Sequence, residues 1–440
     1  MAFSFQSWGR FPKAVHTAVV PLYWRNDPPS FASIPGTVLP YAFGRSYGDV
    51  CLNDGGALID VSFLRRFIHL DFEKGLLKCE AGLPLGEILR AIVPQGWFLP
   101  VTPGTQYVSV GGAIANDIHG KNHHRADTFG SHVTQFELLR SSGERLICSP
   151  AQNSELFCAT IAGLGLTGVI LWAEFKLKSI GSAWIDMEQV RFNSLDGFFA
   201  LSDASDESFE YTVAWIDCLA RGKALGRGLY LRGNHGGPEK GALDLPPRIQ
   251  RVRAPCDMPA AFLNGMSMRL FNALFYHVPR GKMVQKRSSY ERFFFHLDGI
   301  RDWNRLYGKR GLIEYQCVVP LKAAKQAIAE LLKRIGVSGE GAFLSILKHF
   351  GAKESPGILS FPRPGVTLAS DFPNRGEKTL RLLDALDVIV LSAGGAVYPA
   401  KDARMQPQSF QAYYPQWKGF SKFIDPQFSS SFWRRVTANA

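Results

Sequence analysis

The sequence predicts an α+β fold with two regions of different character. Two long glycine-rich turns lie within the first 180 residues, where short strand-like runs surround one strongly periodic helix. After Ser179 such turns cease, and longer helical patterns alternate with strand-like runs. A chain of 440 residues exceeds the size at which a single core usually stops growing, so two domains are expected.

The first region begins with short strands and one amphipathic helix. Runs of apolar and β-branched residues predict strands at 57–61 and 76–79. Pro84 then introduces a helical repeat that Pro94 and Gly96 should end. The apolar positions of this repeat are Leu85, Ile88, Leu89 and Ile92.

The rest of the first region predicts a hairpin, a short helix and a long strand. Residues 133–140 and 145–148 flank Ser141-Ser142-Gly143-Glu144, a turn-like sequence, and should pair as a hairpin. A helix is expected at 153–161. A strand at 167–177 should close the first domain.

The second region predicts an antiparallel sheet covered by helices. Strands are expected at 312–319 and 342–350, and helices at 321–335 and 377–391. The first of these helices should end at Gly336, because glycine is the usual residue after a helix.

The composition is that of an ordinary globular protein, with 46% hydrophobic and 20% charged residues. The seven cysteines form no C-x-x-C pair and no histidine-rich ligand spacing, so neither a disulfide framework nor a metal site is expected. The N-terminus lacks a basic stretch followed by an apolar one, and no run reaches the roughly 18 apolar residues of a membrane span. We therefore expect no signal peptide and no transmembrane helix.

The segment 248–287 concentrates positive charge around an apolar centre. It holds eight basic residues and a single acidic one, Asp257, and its centre contains several Met, Phe and Leu residues. This layout is typical of an element that rests on an anionic membrane surface or grips a lipid tail. A core helix with solvated ends remains an alternative. No nucleic acid is expected as a partner, because no nucleic-acid-binding motif is present.

The most informative stretch runs from 103 to 124. Its glycines, Gly104, Gly111, Gly112 and Gly120, stand where side chains would fill the space of a large flat ligand. Glycine lets the backbone approach a pyrophosphate or an aromatic ring system and leaves its amides free to donate. The stretch is therefore interpreted as a cofactor-binding turn.

A second turn, Gly44-Arg45-Ser46-Tyr47-Gly48-Asp49, lies about sixty residues upstream. Successive amides in such a turn can bind an anion, and the Ser46 hydroxyl can add a donor. The two turns together predict one dinucleotide held from two sides. Neither is a Rossmann fingerprint or a P-loop, which disfavours a nicotinamide-binding domain or an NTPase.

With these turns, the chain resembles flavoproteins of the vanillyl-alcohol-oxidase superfamily and, more closely, the bacterial decaprenylphosphoryl-β-D-ribose 2-oxidase family. The run Asp117-Ile118-His119-Gly120-Lys121-Asn122-His123-His124 is the most specific part of the resemblance. The remaining matching segments are 44–49, 103–105, 110–116, 129–130, 163–168 and 393–402. Two departures are Ala42, where members often carry glycine, and Pro399.

The resemblance implies a two-subdomain FAD-binding domain of the vanillyl-alcohol-oxidase type and a substrate domain. The implied limits are 1–180 for the FAD-binding domain, 181–395 for the substrate-binding domain and 396–440 for a C-terminal return to the FAD-binding domain. Several relatives tether their flavin through a histidine in the first turn. Here Arg45 and Ser46 stand in that turn, so non-covalent FAD is expected.

The resemblance also implies which residues bind the cofactor. The expected set is Gly44, Arg45, Ser46, Tyr47, Gly48, Asp49, Gly104, Thr105, Ser109, Val110, Gly111, Gly112, Asn116, Asp117, Ile118, His119, Val169 and Tyr398. The three expected catalytic residues are Lys401, His119 and Tyr398. The expected substrate-binding residues are Lys121, Tyr315, Gln316, Lys348 and Lys401.

The function implied is FAD-dependent oxidation of a secondary sugar hydroxyl, and the expected hydroxyl is the 2-hydroxyl of a polyprenyl-phosphoryl-β-D-ribofuranose. This reaction would be the first half of an epimerisation completed by a partner keto-sugar reductase. One alternative is a soluble alditol or aldonolactone oxidase of the same superfamily. Another is a non-catalytic flavin-binding module or a basic scaffold for lipid or nucleic acid. The expected location is cytoplasmic or peripheral to a membrane.

Overall fold

The computed structural model describes residues 5–237, 244–247, 251–259 and 262–438. Within them, sheets of eight, five and three strands and two two-stranded pairs combine with helices, which confirms the α+β class.

The strands of the described residues are β1 (Ala18–Pro21), β2 (Val38–Tyr41), β3 (Ala57–Asp60), β4 (Phe67–Asp71), β5 (Leu76–Glu80), β6 (Trp97–Phe98), β7 (Val133–Leu139), β8 (Arg145–Cys148), β9 (Val169–Lys176), β10 (Lys178–Ser179), β11 (Trp184–Phe192), β12 (Tyr211–Ile216), β13 (Gly228–His235), β14 (Val252–Arg253), β15 (Met283–Ser289), β16 (Ile300–Arg301), β17 (Leu312–Val319), β18 (Ser345–Phe350), β19 (Gly365–Pro373) and β20 (Ala396–Val397).

The α-helices of the same residues are α1 (Leu85–Ile92), α2 (Val110–Ala115), α3 (His123–Ala126), α4 (Ser154–Thr160), α5 (Leu195–Asp203), α6 (Gly265–His277), α7 (Tyr290–Phe294), α8 (Leu321–Ser338), α9 (Glu377–Ser392), α10 (Pro407–Tyr413), α11 (Trp417–Ser421) and α12 (Ser431–Val436).

Two sheets form the glycine-rich first region. A parallel sheet has the order β1-β3-β2, and an antiparallel sheet has the order β4-β5-β9-β7-β8. The predicted hairpin is present, with Phe136 opposite Cys148 in the β7–β8 pair. Helix α1 buries Leu85, Ile88, Leu89 and Ile92, the stripe that the sequence pattern indicated.

The second region is built on the antiparallel sheet β15-β11-β13-β12-β18-β19-β17-β20, with α8 and α9 packed against it. The predicted end of α8 at Gly336 is wrong, because the helix continues to Ser338. Gly339 supplies the left-handed residue that ends it, with φ +71°. Gly336 instead lies buried within the helix.

The C-terminal residues contact both regions. Strand β20 pairs with β17 in the eight-stranded sheet, whereas Phe428 forms a bridge with Val38 of β2. Arg435 on α12 binds the carboxylate of Asp49, beside the first glycine turn. These contacts bring the end of the chain to the first turn; the domain limits given above remain a prediction.

The basic segment forms α6 and β15, and Arg248 lies outside the described residues. Asn264 caps α6 by accepting from the amides of Met266 and Ser267. A core helix would bury most of its apolar side chains. In α6 only one narrow stripe is buried, formed by Met268, Asn272 and Tyr276.

All seven cysteines are free thiols. In the parts of the chain that the structure describes, we find no group of three or more His, Cys, Asp or Glu side chains placed to hold a metal ion. Across those same parts, every helix is too short or too polar to span a bilayer.

Candidate active site

A cavity of about 850 Å³ lies between the first region and the eight-stranded sheet. Both glycine turns line it, the first through residues 44–47 and the second through Gly104, Thr105, Ser109, Gly111 and Gly112. Turns separated by about sixty residues of sequence therefore face one space, as expected for a single dinucleotide held from two sides.

The conformation of the first turn requires glycine at position 44. Gly44 has φ +58°, and a Cβ there would overlap the Tyr41 hydroxyl and the carbonyl oxygen of Gln6. Arg45 leaves this turn and stacks its guanidinium over Trp8, 4.1 Å from the ring centre, and over Tyr107 at 4.9 Å. The turn thus presents a cation to the cavity.

The second turn leads into the short helix α2. The Ser109 hydroxyl caps this helix by accepting from the amide of Gly112 at 3.1 Å. Gly104 has open space around its Cβ position, with no atom within 4 Å. The absence of a side chain at Gly104 therefore keeps room for a ligand rather than for packing.

Two buried polar atoms on the cavity wall lack hydrogen-bond partners among the described residues. They are Oδ1 of Asn116 and Nε of Arg45. Buried polar groups are normally paired, so these two are available to a polar ligand. The open space at Gly104, the turn amides and these two atoms fit a flavin dinucleotide.

Four expected cofactor residues, Gly48, Asp49, Val110 and Asp117, do not line the cavity. Gly48 packs against the Asp402 carbonyl, which a Cβ would overlap. The Asp49 carboxylate is bound by Arg435. Asp117 accepts from the Gly130 amide at 2.9 Å and from two serine hydroxyls, and Val110 is buried in the core. These four residues contact the protein interior rather than the cavity, and they support the two glycine turns.

Lys401 reaches the cavity from the C-terminal segment. Its Nζ donates to Glu314 Oε2 at 2.7 Å and lies 3.8 Å from the centre of the Tyr47 ring. The Lys401 ammonium group therefore joins the C-terminal motif to the first glycine turn and to strand β17.

His119 lies in a chain of polar contacts on the same wall. Its Nε2 is 2.9 Å from Gln316 Nε2, and its Nδ1 is 3.2 Å from Lys348 Nζ. Burial, with the nearby Lys348 charge, holds the pKa of His119 well below its usual range. The imidazole is therefore neutral at physiological pH.

Two lysines of the cavity are perturbed by burial. Burial lowers the pKa of Lys348 to about 7, and it lowers the pKa of Lys121 to about 7, with the Lys348 charge as a further cause for Lys121. Lys121 donates to the Phe293 carbonyl and lies over the Phe293 ring. Both lysines change charge near neutrality.

Tyr398 lines the cavity behind the second turn. Its hydroxyl donates to the Asn116 carbonyl at 2.7 Å, and its ring stacks on Phe361 with centres 4.6 Å apart. Burial raises the pKa of Tyr398, so the phenol keeps its proton. Three other expected cofactor residues, Tyr47, Ile118 and Val169, also line the cavity.

Tyr315, which was expected to bind substrate, does not line the cavity. Successive strand residues point to opposite faces, and only Gln316 of this pair faces the cavity. The Tyr315 hydroxyl instead donates to Asp387 of α9 at 3.0 Å on the helix-covered face.

The sequence analysis missed Glu314 and Asp371. Glu314 lines the cavity and lies directly opposite Asp371 in the β17–β19 register. Burial and the Glu314 charge raise the pKa of Asp371 well above its usual range. The two-residue spacing of Glu314 and Gln316 along a predicted strand is the pattern that would have revealed Glu314.

The far end of the cavity is apolar and was not predicted. Strands β11, β12 and β13 line this apolar arm, and α6 and the residue after it add Phe275 and Val278. The other apolar side chains of the arm are Met187, Val213, Trp215, Leu229, Leu231, Leu344 and Ile346. Gln189 of β11 and Lys286 and Arg287 of β15 also line the cavity. The cavity thus joins a charged end at Lys401 to an apolar end at α6.

Comparisons with known proteins agree with this geometry. Residues 33–149 match the model of an FAD binding domain, a span that contains both glycine turns. The chain is 36% identical over 421 residues to decaprenylphosphoryl-β-D-ribose oxidase of Mycolicibacterium smegmatis, covering 91% of this chain and 89% of that protein. An uncharacterized protein of Streptomyces coelicolor is 33% identical over 80% of this chain and its own full length.

A more distant similarity is confined to part of the chain. A putative D-arabinono-1,4-lactone oxidase of Neurospora crassa is 28% identical over 142 residues, which is 32% of this chain and 25% of that protein. For the chain described here, the FAD binding domain match shows that the cofactor is FAD. The residues that line its cavity fit this cofactor.

Proposed function

Since the chain belongs to the decaprenylphosphoryl-β-D-ribose oxidase family, we propose that it oxidises the 2-hydroxyl of a polyprenyl-phosphoryl-β-D-ribofuranose to a ketone. It is an FAD-dependent oxidoreductase. The observation that carries the substrate proposal is the shape of one cavity, in which both glycine turns and Lys401 lie at one end and an apolar arm at the other.

Oxidation of a secondary alcohol removes a proton from the hydroxyl and a hydride from the same carbon. FAD supplies the hydride acceptor when it is bound. In our proposal Lys401, held by Glu314, hydrogen-bonds the substrate oxygen. Neutral His119 accepts the hydroxyl proton at the ring nitrogen whose lone pair becomes free when the substrate hydroxyl displaces the Gln316 or the Lys348 contact. Gln316 and Lys348 orient that imidazole.

The rest of the substrate matches the rest of the cavity. Lys121 and Lys348 are buried amines that can carry positive charge beside a phosphate. The apolar arm lined by Trp215 and Leu229 would accept isoprene units, since burial of apolar surface is favourable. Tyr398 packs at the cofactor end.

We propose that FAD is held without a covalent bond. The turn 44–49 contains neither histidine nor cysteine. Burial raises the pKa of the Cys51 thiol, which also lines the cavity, to about 12, so it remains neutral and a poor nucleophile. Denaturation with acid should release all yellow colour into the supernatant. Colour that stays with the precipitated protein would contradict non-covalent binding.

The proposed product is a 2-keto sugar, which a separate keto-sugar reductase would convert to the arabino epimer. Because a lipid-linked substrate would reside in a membrane, we also propose that the enzyme works at a membrane surface. The partner reductase and the membrane surface are both proposals.

Anaerobic mixing with candidate substrates tests the proposal. Polyprenyl-phosphoryl ribose should bleach the flavin absorbance, whereas free ribose, an alditol and an aldonolactone should not. Equal bleaching by a free sugar would favour the soluble-oxidase alternative. Equal bleaching by wild type and Lys401→Ala would remove the role assigned to this lysine, and no bleaching by any substrate would favour the non-catalytic module.

A further inference from the structure

Helix α6 turns its larger apolar side outward. Met266 is 79% exposed, Leu270 62% and Leu274 63%, and Val278, just after the helix, is 67% exposed. Phe271 and Phe275 stack with centres 5.8 Å apart on the same helix and are also exposed. We call these six residues the α6 face.

This exposure is unusual for a helix that already contacts the core. The buried stripe of α6 contains Asn272, while the outward side carries most of its large apolar residues. A surface helix of a globular protein normally shows the opposite distribution. Contiguous exposed apolar patches mark binding surfaces for proteins or membranes.

The α6 face is continuous with the cavity. Phe275 and Val278 belong to the face and also line the apolar arm. The Phe275 ring meets Trp215 of β12 edge-on, with centres 4.7 Å apart. An apolar chain lying in the arm therefore has a direct apolar route to the α6 face.

The surroundings of the α6 face are basic. Arg269 is exposed on α6, and Arg280 and Lys282 follow the helix directly, exposed before β15. Lys286 and Arg287 of β15 are also exposed, and Arg287 lies 3.8 Å from the Asp186 carboxylate of β11. No acidic residue occurs between 262 and 287. Apolar side chains ringed by cations are complementary to a bilayer that carries anionic headgroups.

We propose that the α6 face docks on an anionic lipid bilayer and that the tail of the lipid substrate enters the cavity there. The charge complementarity and the continuity with the arm favour a membrane over a second copy of the chain or a protein partner. Docking itself depends only on the α6 face. The entry of the tail rests on the proposed function.

Vesicle co-sedimentation tests docking. FAD-loaded wild type should bind vesicles of phosphatidylcholine with phosphatidylglycerol more tightly than vesicles of phosphatidylcholine alone. Leu270→Ser/Leu274→Ser should weaken binding at least about tenfold, because two leucines no longer enter the bilayer. Arg280→Ser/Lys282→Ser should reduce the preference for the anionic vesicles by roughly tenfold.

The matched control is Val337→Ser/Val388→Ser. It alters exposed valines on α8 and α9, 75% and 65% exposed, and removes somewhat less apolar surface from these helices than the double leucine variant removes from α6. The control should bind vesicles like wild type. Equal binding by wild type and Leu270→Ser/Leu274→Ser, or no binding by wild type, would overturn the proposal.

A second readout separates docking from chemistry. With a short-chain, water-soluble prenyl-phosphoryl ribose and no vesicles, Leu270→Ser/Leu274→Ser should bleach the flavin at the wild-type rate. With a long-chain substrate in vesicles, the variant should be at least about tenfold slower. Failure of wild type to bleach would refute the proposed function and leave vesicle binding to decide docking. Light scattering can also show whether the protein is a dimer. If wild type is a dimer and Leu270→Ser/Leu274→Ser is a monomer, the α6 face is an interface between copies and the docking proposal is wrong.

Discussion

Lys401 owes its placement to a carboxylate that the sequence analysis did not identify. Glu314 is the observed hydrogen-bond acceptor of the Lys401 ammonium, and it lies in the cavity wall next to Gln316 on the same strand face. Lys401 therefore depends on Glu314 for its orientation in the cavity.

We expect Glu314→Gln to slow anaerobic flavin bleaching by about 10-fold to 100-fold, because a charge-assisted hydrogen bond contributes about 1.5–3 kcal/mol. The flavin content should stay unchanged. Glu330→Gln, on the exposed side of α8, is the matched control and should react like wild type. An unaltered bleaching rate in Glu314→Gln would show that Lys401 needs no such anchor.

The two perturbed lysines predict a pH effect on substrate binding. The pKa of Lys348 and the pKa of Lys121 are each lowered to about 7, so both lose charge as the pH rises through neutrality. The charged form binds a phosphate better, so the KM for the phosphorylated substrate should rise above about pH 7. Lys348→Arg should weaken this dependence, because arginine stays charged. A KM that is constant between acid and alkaline buffers would contradict the assignment.

The position of Tyr315 outside the cavity predicts that its replacement affects stability and leaves activity unchanged. Tyr315→Phe removes a buried hydrogen bond to Asp387 and should cost about 1 kcal/mol of unfolding free energy in a urea titration. Its kcat/KM should remain that of wild type. Gln316→Leu, one residue along, should lower kcat/KM because it leaves His119 without its amide partner. Loss of kcat/KM in Tyr315→Phe would restore the original expectation.

At the scale of elements, the second glycine turn can be tested independently of folding. An alanine Cβ at Gly104 would meet no protein atom within 4 Å, so Gly104→Ala should fold with an unchanged melting temperature in the FAD-free form. The methyl group would then occupy cofactor space, and FAD affinity should fall about tenfold or more.

The control for this turn is Gly419→Ala on α11, which also meets no atom within 4 Å and should leave FAD affinity unchanged. Gly48→Ala should behave differently from both, because its Cβ would overlap the Asp402 carbonyl and so destabilise the fold itself. Wild-type FAD affinity in Gly104→Ala would mean that the cofactor does not approach this turn.

Elements were predictable where the apolar pattern was long and regular. Residues 312–319 were predicted as a strand and form β17, Leu312–Val319, because all eight positions are buried and six of them are apolar. The end of α8 was predicted at the wrong residue because two glycines, Gly336 and Gly339, lie within four residues and either could end the helix. Only the conformation in three dimensions shows which of them adopts positive φ.

At the scale of the whole molecule, the site depends on contacts that sequence spacing does not encode. The first turn, β17 and the C-terminal segment meet around Lys401, and Arg435 ties Asp49 to Asp402. Motif resemblance indicated His119, Lys401 and the turns. It did not indicate the apolar arm, because the strands that line the arm lie far apart in sequence. The α6 face, by contrast, lies within the segment 248–287, whose apolar centre and basic flanks already indicated a membrane or lipid-binding element.

The most direct test of the account uses polyprenyl-phosphoryl ribose carrying deuterium on carbon 2 of the sugar, mixed anaerobically with the FAD-loaded protein in a single turnover. If the cavity oxidises the 2-hydroxyl, the flavin bleaches more slowly than with unlabelled substrate, and mass spectrometry finds a keto product that has lost the deuterium. A bleached flavin with a product that retains the label would contradict the account, because the hydride would then have left another carbon.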